Sequence, residues 1–479
     1  MARILATFLT SHAFLPTTVL AMPVFSTSYA NYLPDELLLE IVAHLETLNN
    51  IERQTTLARF SAVNRQWYGV AVQPLYESPY LSGSAYELFV RTICPSVLAR
   101  IKASWLKIDR QHLLTFDKPT TLASLVKSLD LSHIVHQGAK STTARLLGRT
   151  RASLEVFVAP QASFAINCWA SLSKCSRLRV LDLSLSVSPK YAMHLTRRLT
   201  CNFNVRVSEC ISFQSLNQTI RQLGDLRELY LPRCSSRYEP PATPGGPSIR
   251  WPPKLGHLAL SGSVSGQFLW DMLRQPDNFP PTFSSLSIHH SPGLDQQGIR
   301  PLLNSLAASL TVVELRDLPA VKQGRLNGVL DWLPNLVSLT IALDFIDSRF
   351  GNMPPDFTPA RWQEAKPLYS LTLVACGRTG DPSRSFTMTD LFTMIDERFL
   401  GRLRYLSIGH STEWQNEDEV LGALDASIDE LDKENWLERR WHYQDVDFTD
   451  TRNMEYEQWR TNTAMGRKMR SRFRLLKNR

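Results

Sequence analysis

A six-residue motif, Leu-x-x-Leu-x-Leu with conservative swaps, returns along most of this chain and leaves few folds open to it. It occurs at Val126–Leu131, Leu178–Leu183, Leu226–Leu231, Leu255–Leu260, Phe283–Ile288, Leu310–Leu315, Leu336–Ile341, Leu368–Leu373 and Leu403–Ile408, with a degenerate copy from Leu154. From Leu226 onward the copies start 29, 28, 27, 26, 32 and 35 residues apart. Side chains alternate along a strand, so the last two leucines of each copy share the inner side. The residue between them faces the opposite, concave surface. Helical apolar patterns fill the gaps: Leu216, Ile220 and Leu223; Ile299, Leu302, Leu303 and Leu306; Leu326, Val329, Leu330 and Leu333; Leu391, Met394 and Ile395. One such unit cannot bury its own apolar side, and stacked units can.

The spacing fits leucine-rich repeats, whose period is roughly 20–29 residues, and the two longest intervals imply insertions. The Asn that often follows the strand in regular repeats is missing, and Cys234 and Cys376 take that place in two copies. The expected architecture is therefore an irregular α/β solenoid of short parallel strands with helices on the convex side, over residues 122–411. Leu178 and Leu226 lie 48 residues apart, and Val187–Ile211 carries no copy, so it reads as a disordered surface insertion or retained intron sequence, with one degenerate repeat as the rival, since 48 is also two short periods. The Pro-rich Tyr238–Pro253 reads as an exposed loop. The repeat stops beyond His410. Residues 412–479 read as an acidic then basic cap and tail, with Trp436, Trp441 and Trp459 closing the open end.

Ahead of the repeats stands NYLPDELLLEIVAHL, Asn31–Leu45. Pro34 suits a first helical turn, and Asp35 and Glu36 complement the positive end of the helix dipole. Leu37, Ile41 and Leu45 fall on one face, with Leu38 and Val42 beside them. A second apolar helix is predicted from near Thr55, carrying Leu57, Phe60, Val63 and Trp67, with Val70 and Ala71 continuing the face. Leu33-Pro34-x-Glu36-Leu37, then Ile41, Leu45, Leu57 and VNRQW ending at Trp67, resembles an F-box of the form common in fungal proteins. Val63, after Ala62, replaces the frequent Ser or Cys. The resemblance covers about fifty residues. It implies a three-helix module, here 31–81, that packs on a Skp-type adaptor and through it on a cullin. It also implies a non-catalytic substrate receptor of a ubiquitin ligase, needing no cofactor. The adaptor residues it implies are Leu33, Pro34, Leu37, Ile41, Leu45, Leu57 and Trp67. A protein substrate would meet the concave face, where repeat geometry selects Tyr230, Arg233, His289, Glu314, Arg316 and His410. Residues 82–121 read as a helical linker and insertion, in which Ile108–Thr121 separates a helix ending near Leu106 from the first strand.

Other function classes find little support. The net charge of +8 is nearly all in the last thirteen residues, Arg467–Arg479, which hold seven Lys or Arg and no acid. The body is near neutral, which argues against a nucleic-acid-binding surface. The tail itself reads as a nuclear-import or nucleic-acid contact, or as a basic amphipathic helix on Met469, Phe473 and Leu476. Seven cysteines, odd in number and irregular in spacing, with no C-x-x-C, read as reduced, buried thiols and offer no zinc site. Residues 1–30 resemble a secretory signal, with small residues at Ala21 and Ala30. Thr10-Ser11-His12 and Pro16 interrupt the apolar core, so a disordered leader or a start codon placed upstream of the true one is expected, and a cytoplasmic or nuclear protein. GSVSG at Gly262–Gly266 puts Val264 where a nucleophile elbow needs Ser. The adjacent His289 and His290 follow a strand and point apart, so they read as surface contacts and not as a metal pair. The rival readings are a repeat scaffold without a degradation role and a secreted repeat protein. No small-molecule or membrane partner is expected.

Overall fold

The computed structural model describes residues 33–94, 121–134, 140–160, 166–184, 213–231, 250–261, 279–353, 365–377, 381–414, 418–442, 455–463 and 472–476, with residues 269 and 466–467. Residues 1–30 and 187–211, Arg233, Cys201, Cys210, Cys234, GSVSG and most of the Pro-rich stretch lie outside them. The chain divides into two compact units, Met1–Pro232 and Arg233–Arg479.

The first unit opens with helices α1 (Asp35–His44), α2 (Asn50–Ser61), α3 (Arg65–Glu77) and α4 (Gly83–Ile93). The single helix predicted from Thr55 through Ala71 is in fact two. Asn64 accepts a hydrogen bond from the Trp67 amide (2.9 Å) and starts α3, and Asn49 starts α2 by accepting from the Glu52 amide (2.9 Å). A side-chain cap of this kind satisfies an orphan amide and sets a boundary that apolar periodicity does not show. Val63 consequently lies in the α2–α3 turn, exposed, and off the buried face. Leu57, Val42, Ala71 and Leu75 form the core of these helices.

Strands β1 (Ser128–Asp130), β2 (Val156–Val158), β3 (Val180–Asp182) and β4 (Glu228–Tyr230) follow, with α5 (Lys140–Thr150), α6 (Ile166–Leu172) and α7 (Phe213–Ile220) between them. They pair in parallel in chain order. β3 pairs directly with β4, so no further strand stands between the copies at Leu178 and Leu226. The second unit holds β5 (His257–Ser261), β6 (Ser285–His289), β7 (Val312–Arg316), β8 (Ser338–Ala342), β9 (Ser370–Val374) and β10 (Tyr405–Gly409). They too pair in parallel and in order, with α8 (Gln296–Ser305), α9 (Val329–Trp332) and α10 (Met388–Asp396) in the connections.

Each of the ten motif copies is one strand. The first motif position is buried in every repeat, from Val126 and Leu154 through Leu403, and so are the two strand positions, such as Leu339 with Ile341 and Leu406 with Ile408. The residue after the first motif position carries the backbone ladder. Its carbonyl accepts two amides from the next repeat. Lys127 O takes Glu155 N and Val156 N, and Glu155 O takes Arg179 N and Val180 N. In the second unit Thr311 O takes Val337 N and Ser338 N, and Val337 O takes Tyr369 N and Ser370 N, all at 2.7–3.0 Å. Lys127 N itself donates to Glu77 O (3.0 Å), the last residue of α3. The helical module thus occupies the place of a preceding repeat. A surface chain of opposite charges follows the same column: Glu77–Lys127 at 2.8 Å and Glu155–Arg179 at 3.1 Å.

Three expectations are corrected. The Pro-rich stretch is not wholly exposed at its described end, where Arg250 and Pro253 are exposed but Trp251 and Pro252 are buried and the Trp251 ring stacks on Phe279 (5.8 Å). The repeat does not stop at His410: β11 (Arg472–Leu476) pairs in parallel with β10. The tail is accordingly a strand there and not a basic helix. Phe473 stands opposite the buried Leu406 and Leu475 opposite the buried Ile408. The first motif position of this copy is Arg470, which hides it from the leucine pattern.

Between β10 and β11 stand α11 (Asp418–His442) and α12 (Tyr456–Asn462). Trp436, Tyr456 and Trp459 form a buried aromatic cluster. Beside it Arg404 and Asp432, each 2% exposed, form an ion pair at 3.6 Å. Tyr456 donates to Asp432 (2.7 Å), and Arg404 also lies over the Tyr369 ring (5.1 Å). Burial, then the hydrogen bond to Asp432 and its charge, push the Tyr456 phenol up. Removing one partner of a buried pair strands the other charge, at a cost of about 3–5 kcal/mol. Asp432→Ala is therefore expected to lower stability by about that amount in a urea melt, and Tyr456→Phe by only about 1 kcal/mol.

Candidate functional site

Two surfaces stand out. The first lies on α1. The stripe of Leu38 and Val42 faces α2 and α3 and is buried, and the half-buried Leu45 packs against the same core. Leu37 and Ile41, at i and i+4, sit beside that stripe and remain 46% and 37% exposed. Pro34, one turn earlier, is also exposed, and Leu33 is half-buried. Of the eight large apolar side chains exposed among the described residues, six belong to this module: Leu37, Leu39, Ile41, Leu48, Ile51 and Val63. A concentration of that kind marks an interaction surface. Leu57 is only 1% exposed and belongs to the core, so a partner cannot reach it in this structure. Trp67 is half-buried, its ring 4.5 Å from that of Phe60. Gln66 donates to the Leu33 carbonyl and to Asp35 Oδ1, both at 2.8 Å, and ties the start of α1 to the start of α3. Sequence periodicity cannot assign Gln66 or Asn64 a role, because both act through polar contacts at chain ends.

The second surface is the open face of β5–β11. Of the six residues selected by repeat geometry, the structure brings together His289, Glu314 and Arg316. His289 Nε2 lies 3.5 Å from Glu314 Oε2, and Arg316 Nε lies 2.6 Å from Glu314 Oε1. Ser287 Oγ, one strand away in register, donates to Glu314 (3.2 Å). Burial pushes the Glu314 carboxyl up, but His289, Arg316 and Ser287 outweigh it and hold it below the usual range. His290 instead contacts Asp317, so the adjacent histidines serve different carboxylates. Tyr230 belongs to the other unit and donates to Glu228 (3.0 Å). His410 opens a short turn after β10 and is half-buried.

The described thiols suit packing. Cys94, Cys168 and Cys175 are buried and form no disulfide, and burial pushes the Cys175 thiol up to about 12. The Cys376 amide donates to Asp344 (2.7 Å), and its sulfur accepts from the Asp317 amide (3.2 Å). Among the described residues no group of three or more His, Cys, Asp or Glu could hold a metal ion, and no helix is long and apolar enough to cross a membrane.

Residues 30–82 match the family described as F-box-like. The N-terminal module is an F-box-like domain. Two fungal relatives extend the likeness beyond it. F-box protein YDR306C of Saccharomyces cerevisiae is 26% identical over 377 residues, 78% of this chain and 67% of its own. Protein pof5 of Schizosaccharomyces pombe is 24% identical over 406 residues, 84% of this chain and 98% of its own. Among solved structures, the leucine-rich repeat-containing protein LegL7 from Legionella pneumophila aligns with a TM-score of 0.35 and 14% identity, covering 65% of this chain and 85% of its own. The repeat architecture rests on the strand ladder itself.

The Glu314 cluster gives a pH prediction. The carboxyl titrates lower in the fold than its ordinary value of 4.5, so its contribution to stability is complete above that value. It is lost as pH falls through the lower folded value. Stability from urea melts should therefore drop on acidification below about pH 4.5, and Glu314→Gln should reduce that drop.

Proposed function

We propose that the protein is the substrate-recognition subunit of a cullin–RING ubiquitin ligase of the SCF type. The F-box-like domain binds a Skp-type adaptor and through it a cullin, and the open face of the repeats binds a protein substrate. The observation that carries the reading is the exposed Leu37–Ile41 surface on a module of F-box type. The protein itself performs no covalent chemistry in this reading. It raises the effective concentration of a bound client near the ubiquitin-loaded enzyme, which is a tethering effect. His289, Glu314 and Arg316, with Tyr230, Arg233 and His410, are the substrate contacts proposed. Leu33, Pro34, Leu37, Ile41, Leu45 and Trp67 are the adaptor contacts proposed.

The double variant Leu37→Asp/Ile41→Asp tests it. Burying two aliphatic side chains at an interface contributes about 3–6 kcal/mol, so their loss weakens adaptor binding by roughly two to four orders of magnitude. Both side chains are exposed in the free chain, so the fold should survive. The expected result is loss of adaptor and cullin from a pull-down, with the melting curve unchanged. Proteasome inhibition followed by affinity purification should then recover clients with both proteins but ligase components only with the unaltered one. Undiminished adaptor binding by the variant overturns the reading.

A further inference from the structure

Nearly all the net charge of this chain sits in Arg467–Arg479, and the fold builds part of that segment into the sheet. Register sets Arg472 opposite Tyr405 and Arg474 opposite Ser407, while Phe473 and Leu475 stand opposite buried residues. Arg472 and Arg474 therefore occupy positions on the open face. Arg474 is exposed and enters no ion pair among the described residues. Three acids of α11 are paired with other cations: Asp429 with Arg460, Asp432 with Arg404, and Glu434 with Arg398. The column that ends in Arg474 runs through Thr340, Thr372 and Ser407, which are hydroxyls without charge. At the other end of that column Glu314 is already paired. The open face thus ends in the exposed Arg474, which has no ion pair among the described residues, beside a hydroxyl-lined floor.

We propose that the β9–β11 end of this face binds an acidic segment of a partner protein. Its carboxylates meet the arginines of β11, and its polar groups lie along Thr372 and Ser407. Charge complementarity selects the occupant, since an anion gains most beside a cation that, like Arg474, has no ion pair among the described residues. The inference deepens the proposed function and rests on it only in identifying that partner as the client. The competing explanation is protective: Lys and Arg on a terminal strand discourage edge-to-edge aggregation.

The test uses the full chain and fluorescein-labelled oligoglutamate, followed by anisotropy at rising salt. The unaltered protein should bind, and more weakly as salt rises. Arg472→Glu/Arg474→Glu should weaken binding about tenfold or more, and Arg472→Gln/Arg474→Gln by less, each with an unchanged melting curve. Lys322→Glu/Arg325→Glu, which reverses two exposed cations elsewhere in the unit, should leave the affinity as it was. Four outcomes overturn the proposal: no binding by the unaltered protein, an equal loss in the Lys322/Arg325 control, tail variants that aggregate while their soluble fraction binds normally, and single-stranded DNA of matched charge binding at least as tightly. An adaptor pull-down on the same preparation separates the two readings. Lost adaptor binding with intact oligoglutamate binding removes the ligase role and leaves this surface standing.

Discussion

A single carbonyl per repeat, accepting two amides from the repeat that follows, is what makes each of the two units a stack and not a row of separate strands and helices. Lys127, Glu155, Thr311 and Val337 all serve in this way, at the position just after the first buried leucine. No repeat can supply those amides to itself, just as none can bury its own leucines. Both needs are met by a neighbour, and a stack must therefore solve a problem at its ends. At the start, the Glu77 carbonyl of α3 receives the Lys127 amide that a preceding repeat would have received. In the second unit, β11 extends the sheet by one strand beyond β10, and α11 and α12 pack an aromatic cluster beside the buried Arg404–Asp432 pair.

The helix α1 divides its apolar residues between two uses. Leu38 and Val42 are consumed by folding, and Leu37 and Ile41 are left over. The sequence pattern shows both sets as one broad face, because Leu at i and i+1 read alike to a periodicity argument. Only packing separates them, and it also removes Leu57 from the set of residues a partner can reach. Leaving two aliphatic side chains in water costs solubility. That cost makes sense for a surface whose normal state is covered.

The repeat strands were legible because their rule is local and apolar. Three positions in six must be buried, and the text says so ten times. What escaped the pattern is polar or sits at an end. The break between α2 and α3 depends on the Asn64 cap, which periodicity passes over. Three residues before Phe473 the sequence has Arg470 and no apolar residue, so the strand character of β11 lies in the alternation of Phe473 and Leu475 and in the partner strand that accepts them. Of the open-face residues, His289, Glu314 and Arg316 were chosen from alternation alone. Their ion pairs could not be read that way, because contacts across strands depend on register between segments about 27 residues apart.

The geometry of α3 joins the exposed face of α1 to the first repeats. Its first turn holds α1 through Gln66, and its last residue starts the carbonyl column of the repeats through Glu77. The helix that separates these two roles is thirteen residues long, about 20 Å. The exposed face of α1 and the edge of β1 are thus fastened to opposite ends of one helix, with Lys127 adding both a backbone bond and a side-chain ion pair to Glu77. The effective concentration of a tethered client falls as the tether lengthens and loosens. A short helix bonded at both ends keeps that loss small between the adaptor face and the first repeats, which suits a receptor better than a flexible linker would.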